Sequence, residues 1–314
     1  MRDITIFSGS AHIELAQEIS TELGLQLSPT HIQHFSNDCL YVQMNENCRE
    51  SDVYLVQPLV TPVQENLMEL LFMLDAARGA SAARLTAVIP YYAYARSDKK
   101  DAPRISIAGR LVADLLQTAG ANRVITVALH APQVHGFFSV PTDHLNALNV
   151  LAQHFRKYNL TNGIVVSPDL GNAKSATAFS RLLNLPVAAG SKKRISDDKV
   201  VIDSIVGDVT GKDVIILDDE VANGGTIVEI LQHIRSHGIG RIFVACTHGL
   251  FTGKAMERLR QQSDVEEIVT TNTVPIPAEK RLPNMTVLSM APLIAETIRR
   301  NHNGESVSSL FDNV

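Results

Sequence analysis

Short apolar runs recur along the chain, separated by longer stretches in which apolar residues return every three or four positions. The runs have strand length and the longer stretches have helical period, which predicts a parallel sheet covered by helices on both faces. Strands are expected near 5–7, 53–56, 86–89 and 124–127, then near 164–166, 186–188, 214–217, 241–246, 267–270 and 286–288. Between them, Leu67, Leu70, Leu71 and Leu74 share one helical face and Ile107, Leu111, Leu115 and Thr118 another, and both faces are expected in a core. The two series predict an α/β fold of two tandem doubly wound parallel-sheet domains, 1–145 and 146–314, with the crossover near "VPTDHLNALNV".

Composition narrows the classes of function. At 314 residues and 45% hydrophobic, the chain can give each domain its own core. A formal charge of −5 argues against a general nucleic-acid or anionic-membrane binder, so any anion site must be local. The start "MRDITIF" reads as a first strand rather than a signal peptide, and no apolar run approaches the ~18 residues that span a bilayer. A soluble, cytoplasmic protein is expected. Cys39, Cys48 and Cys246 have no CxxC or zinc spacing, which fits free thiols in a reducing compartment.

Ligands of open parallel sheets gather at the carboxyl ends of strands, and five predicted strand ends here carry polar or glycine-bearing segments. They are "PYYAYARSDKKDAPR", "ALHAPQVHGFF", "SPDLGNAKSA", "GSKKRISDDK" and "DDEVANGGT". In the last, Asp218 and Asp219 can accept hydrogen bonds from vicinal sugar hydroxyls, and Gly224, Gly225 and Thr226 can cradle a phosphate at a helix start. The plainer reading is that the two carboxylates cap a turn and a helix. Lys192, Lys193 and Arg194 suit a flexible loop closing over a polyphosphate, or simply a solvated surface loop. His130 and Asp169 each follow a strand, in different halves of the chain; they can flank one metal or serve as hydrogen-bonded structural residues. The near misses "GLFTGK" and "GDVTGK" are each one residue short of a GxxxxGK[ST] loop, so an ordinary P-loop kinase is not expected.

Taken together, "NENCRESDVYLVQ", "PYYAYARSDKK", "LHAPQVHGFFSVP", "VVSPDLG", "SKKR", "ILDDEVANGGT", "ACTHGLF" and "ESVSSLF" resemble, in order and over nearly the whole chain, the ribose-phosphate diphosphokinase family. The resemblance implies domains of the type I phosphoribosyltransferase kind. It also implies transfer of the diphosphoryl group of MgATP to the anomeric hydroxyl of ribose 5-phosphate, giving phosphoribosyl diphosphate and AMP. Carried over residue by residue, Lys192 becomes the catalytic cation, with Arg194 its partner and a ribose 5-phosphate contact. Asp218, Asp219, Ala222, Asn223, Gly224, Gly225 and Thr226 become the ribose 5-phosphate site. Phe35, Asn37, Asp38, Cys39, Arg96 and Ser97 become the ATP site, contributed across a subunit contact, and His130 and Asp169 the magnesium site. A homo-oligomer of dimers, often a hexamer, is implied as well.

The chain departs from the family pattern at several of these positions. A stretch usually like FSDGE reads "FSNDC", so Asn37 and Cys39 replace two acids, and Asp38 is expected to compensate for Asn37 from the adjacent position. Ser97 stands for a Gln, Ala128 for an Asp, Ser196 for an Arg, and "ANGGT" for DTGGT. These losses keep a second reading open, a non-catalytic regulatory or structural homologue. A phosphoribosyltransferase that consumes the diphosphate is disfavoured by the length of the chain and its N-terminal half.

Overall fold

The computed structural model describes residues 2–196 and 199–310, with the side chains of 192–203 outside that description. The chain forms two compact units. One runs to Asn146 and takes in Thr273–Pro275 and the segment from Ser289; the other comprises Ala147–Asn272 and Ile276–Leu288.

The first unit carries β1 (Ile4–Ser8), β2 (Thr30–His34), β3 (Leu40–Met44), β4 (Asp52–Val56), β5 (Arg84–Ile89), β6 (Arg123–Val127) and β7 (Thr142–Leu145). Its helices are α1 (Ile13–Glu22), α2 (Val63–Gly79), α3 (Ala108–Ala119) and the C-terminal helix Ala291–Asn303. The sheet order is β1-β4-β5-β6-β7, all parallel, with β2 and β3 apart as an antiparallel hairpin. Val53 and Leu55 of β4 join the core formed with Leu67, Leu70 and Leu74 of α2 and Val112 and Leu116 of α3. Tyr54 points the other way, as the two-residue period of a strand requires, and its hydroxyl donates to the Ile298 carbonyl of the C-terminal helix (3.4 Å). Asp52 binds the same helix, lying 2.7 Å from His302 Nδ1 while it accepts both prongs of Arg84. The C-terminal helix therefore belongs with the first unit, and a division of the chain at 145/146 does not follow the compact units there.

One predicted core face is displaced. On α3 the buried residues are Gly109, Val112, Ala113 and Leu116, whereas Leu111 is 53% and Leu115 38% exposed. The helix has two apolar faces, and the one with the smaller residues wins the core. A Cβ on Gly109 would lie 2.9 Å from the Tyr94 carbonyl, so only glycine permits that approach.

The second unit contains β8 (Gly163–Ser167), β9 (Val187–Ser196), β10 (Lys199–Val206), β11 (Asp213–Val221), β12 (Ile242–Gly249), β13 (Val265–Thr271) and β14 (Met285–Leu288), with α4 (Leu148–Phe155), α5 (Ala173–Leu183), α6 (Gly225–Arg235) and α7 (Ala255–Arg260). Its sheet runs β10-β9-β8-β11-β12-β13-β14, parallel except for β10. Ile164, Val166, Val214, Ile216 and Val244 pack with Ile227, Ile230, Leu231 and Ile234 of α6. Phe243 meets Phe155 of α4 edge-on at 5.8 Å between centroids, and Phe155 meets Phe179 of α5 likewise. Helices thus sandwich the sheet. Strand order reverses between β8 and β11, which puts the topological switch point at their carboxyl ends.

Each predicted strand is present. The unpredicted ones are the half-exposed hairpin β2–β3, the short polar β7, and β10. The segment 190–196, expected as a flexible loop, is backbone of β9 paired with β10. Its cations suggested solvent, but β-branched Val200, Val201 and Ile202 opposite favour a ladder.

Candidate active site

The switch point gathers the acidic candidates. β11 extends to Val221, so Asp218 and Asp219 are strand residues rather than the loop residues expected, with Asp218 paired to Cys246 of β12. Asp218 Oδ1 accepts the backbone N–H of Asp219 (3.0 Å). Burial raises the Asp218 carboxyl well above the usual carboxylate range, and the charges of Asp219 and Asp169 push it the same way. Asp169 follows β8, where its Oδ1 accepts from Asn172 N (3.1 Å) and its carbonyl from the Ser167 hydroxyl (2.6 Å). Three carboxylates from two neighbouring strand ends therefore sense one another, a field that a cation relieves.

The chain then turns from β11 into α6. Ala222 is half-buried and Asn223 exposed, and Gly224 sits at the helix N-cap with φ 73° and ψ 2°, the left-handed region that glycine enters freely. The helix opens at Gly225, one residue before Thr226, so its first N–H groups and positive dipole end lie where a phosphate is favoured. One N–H of this turn is occupied: Gly225 N donates to Asn223 Oδ1 (2.9 Å). A cation absent from the sequence reading stands alongside. Arg258 of α7 donates to the Asn223 carbonyl (2.8 Å), and its Nη1 lies 3.5 Å from where a Cβ on Gly225 would be. Arg258 is 35 residues beyond Asn223, so no local motif marks it, and only the packing of α6 on α7 brings it in.

Lys192 and Arg194 lie on β9, opposite Ile202 and Val200 in register, and their side chains fall outside the described residues, as do those of Lys193 and Ser196. Asp197 and Asp198 lie outside them altogether.

The first unit holds the remaining candidates. At the β2–β3 tip, Phe35 N donates to the Cys39 carbonyl and Asp38 N to the Phe35 carbonyl (2.9 Å each), while Cys39 N donates to Asn37 Oδ1 (3.2 Å). Asp38 has φ 66°, and its side chain is 98% exposed. Phe35 is half-exposed and braced edge-on by Tyr41 (5.6 Å). His34 anchors the hairpin to α2, its Nε2 3.0 Å from Glu65 Oε1. That hydrogen bond raises the His34 pKa, so the charged clasp weakens as pH rises through the raised value.

Arg96 is exposed after β5, while the Ser97 hydroxyl donates to the Ser106 carbonyl (3.2 Å) and accepts from Ala108 N (3.1 Å), closing its own loop onto α3. That loop meets the one after β6 where Gln133 donates to Asp98. His130 is exposed just past Ala128, which holds φ 43° with its N–H on the Leu145 carbonyl (2.8 Å). Leu129 N donates to His144 Nε2 (2.8 Å). The structure thus brings Arg96 and Ser97 near the His130 loop, and Asp169 near Asp218 and Asp219.

Among the described residues no group of three or more His, Cys, Asp or Glu side chains forms a complete metal cage. Magnesium is usually held by only one or two carboxylates plus water and substrate phosphates, and the oxygen donors of Asp169 are of that chemistry.

Residues 4–120 match the N-terminal domain of ribose phosphate pyrophosphokinase, and 191–312 the phosphoribosyl synthetase-associated domain. A ribose-phosphate pyrophosphokinase of Deinococcus radiodurans is 50% identical over 313 residues, covering 98% of each chain. The chain belongs to the ribose-phosphate pyrophosphokinase family. A second member, from Synechococcus elongatus, is 44% identical over 309 residues, covering 98% of this chain and 93% of its own. The crystal structure of phosphoribosylpyrophosphate synthetase from Mycobacterium smegmatis superposes with a TM-score of 0.90 at 38% identity, covering 96% of this chain and 100% of that one. The α/β fold with parallel sheets is therefore that of the family, from end to end.

Proposed function

We propose that the chain is a working ribose-phosphate pyrophosphokinase, moving the diphosphoryl group of ATP to the anomeric hydroxyl of ribose 5-phosphate and releasing AMP. The observation that carries this is the near-complete, in-order similarity to relatives of that name, in a chain that keeps a phosphate cradle at its switch point. The sugar phosphate sits at the start of α6, held by N–H groups of Asn223, Gly224 and Thr226 and the Thr226 hydroxyl. Gly225 N joins them when Asn223 releases it. None of these donors needs an acid at Ala222. Asp218 and Asp219 orient the ribose hydroxyls.

ATP is bound by Phe35, Asn37, Asp38 and Cys39 of the hairpin with Arg96 and Ser97, the exposed Phe35 ring offering a face on which adenine stacks. Asp169 and His130 are the candidate magnesium ligands, each on its own unit. Bound there, the ion neutralises phosphate oxygens on the donor. Lys192 and Arg194 supply positive charge to the transferring group, the main contribution a protein makes to this class of reaction.

Leu111 and Leu115 of α3, with Met68 and Phe72 of α2, are exposed apolar residues on helices that pack together, which supports a homo-oligomer such as a hexamer. No described helix is long and apolar enough to cross a membrane. Cys39, Cys48 and Cys246 are free thiols, which fits a reducing compartment such as the cytoplasm.

The test is an assay of the purified chain with magnesium, ribose 5-phosphate and each nucleoside triphosphate in turn, scored by the monophosphate released. AMP formation that requires ribose 5-phosphate is expected. Its absence would promote the alternative favoured by Asn37, Cys39, Ala128 and Ala222, a non-catalytic regulatory or structural homologue.

A further inference from the structure

The loop between β8 and α5 contains a polar residue whose bonds are unusual for its position. Asn172 is the N-cap of α5, where an asparagine side chain ordinarily accepts a hydrogen bond from the first turn of its own helix. Here it makes no such bond. Its Nδ2 instead reaches 45 residues along the chain and donates to the Leu217 carbonyl of β11 (3.1 Å). Its backbone N–H meanwhile donates to Asp169 Oδ1 (3.1 Å).

The place of that carbonyl explains the bond. The ladder between β8 and β11 ends at the Val166–Ile216 pair, beyond which β8 stops at Ser167 and β11 continues paired with β12 only. Leu217 is the first β11 residue without a β8 partner, and it is 1% exposed, so an unpaired carbonyl there is costly. The amide of Asn172 replaces the missing rung. It lets the two strand ends separate without leaving the carbonyl unsatisfied, and ties the loop that carries Asp169 to the residue preceding Asp218.

We infer that Asn172 is a positioning residue for the metal-binding carboxylate, fixing Asp169 against the Asp218–Asp219 end of β11 through its two bonds. The inference rests on the proposed role of Asp169 in holding the divalent ion. Through its N–H it sets the Asp169 rotamer, and through its side chain it sets the distance between the loop and β11. Loss of partners of this kind characteristically weakens affinity for the ion.

The test compares wild type with Asn172→Ala and Asn172→Gly, both of which retain the N–H and lose only the tie to Leu217. The magnesium concentration at half-maximal rate should rise about tenfold, the lower end of the range for lost outer partners of metal ligands. The melting temperature of the ion-free variants should fall by about 2–8 °C, the cost of one buried carbonyl left without its donor. A Mn2+ titration followed by electron paramagnetic resonance reads the same weakening without turnover. Matching Mn2+ curves for variants and wild type, including no binding by either, would overturn the inference, as would an unchanged magnesium requirement. Asp169→Asn separates this failure from that of the functional reading. If Asp169→Asn shifts the metal requirement and Asn172→Ala does not, only the positioning role is wrong; if Asp169→Asn shifts nothing, the ligand assignment itself falls.

Discussion

At Gly224 the chain turns left-handed (φ 73°) into α6, and at Asp38 it turns left-handed (φ 66°) at the tip of the β2–β3 hairpin. An L-residue with a Cβ pays about 1–2 kcal/mol for that conformation, and glycine pays almost nothing. The switch-point loop avoids the cost by placing glycine at the N-cap of α6. The hairpin tip accepts the cost and keeps a carboxylate that is almost wholly exposed. On the proposed reading, one turn serves backbone recognition of a phosphate and the other presents a side chain.

Substitutions should separate the two designs. The largest effect after loss of the cradle itself is expected at Asp218, where Asp218→Asn should cut turnover by roughly two orders of magnitude or more, as for loss of a preorganised polar contact to the reacting sugar. The same change should raise the melting temperature in metal-free buffer. Because burial and neighbouring charge raise the Asp218 carboxyl, its favourable contribution is complete below the unfolded range near ~4 and is lost as pH climbs through the raised value. The stability gap between variant and wild type should therefore widen from acid to pH 8, followed by calorimetric melts. A gap that narrows with pH would show that Asp218 is not the strained member of the trio.

Arg258→Ala comes next. It removes the guanidinium that holds the Asn223 carbonyl and stands beside the phosphate loop. The ribose 5-phosphate KM should rise about tenfold, on the scale of a charge-assisted hydrogen bond, with kcat changed much less. Steady-state kinetics with varied ribose 5-phosphate would check this, and an unaltered KM would assign Arg258 to loop packing alone.

The smallest effect belongs to the hairpin. Asp38→Gly relieves the left-handed backbone and should leave the melting temperature unchanged or slightly raised, while the ATP KM rises about threefold for loss of an exposed charged contact. No change in ATP KM would reduce Asp38 to a turn residue and leave Asn37 uncompensated.

Much of this architecture was legible in the sequence because parallel strands buried on both faces announce themselves as apolar runs, as in Val214 to Leu217 and Ile242 to Cys246. The turn into α6 at "ANGGT" was equally legible, since a glycine pair before an apolar helix carries a conformational message in its residue types. What the sequence concealed depended on the choice between equivalent faces or on distance. Leu111 and Leu115 looked like core until the closer packing allowed by Gly109 turned the other face inward. Asp218 and Asp219 looked like loop residues because strand pairing with β12, rather than their own propensity, extends β11 to Val221. Arg258 and Asn172 act across 35 and 45 residues, and nothing local distinguishes them from other polar positions.

The central claim is that the β11–α6 junction binds ribose 5-phosphate through backbone that only glycine at 224 can shape. Calorimetric titration of ribose 5-phosphate, with magnesium and a non-hydrolysable ATP analogue present, tests it on wild type and on Gly224→Val, with circular dichroism confirming that the variant is folded. Saturable binding by the wild type and none by the folded variant is the predicted result. Equal binding by the two proteins would contradict the claim, and an absence of binding by the wild type would contradict the active-enzyme reading with it.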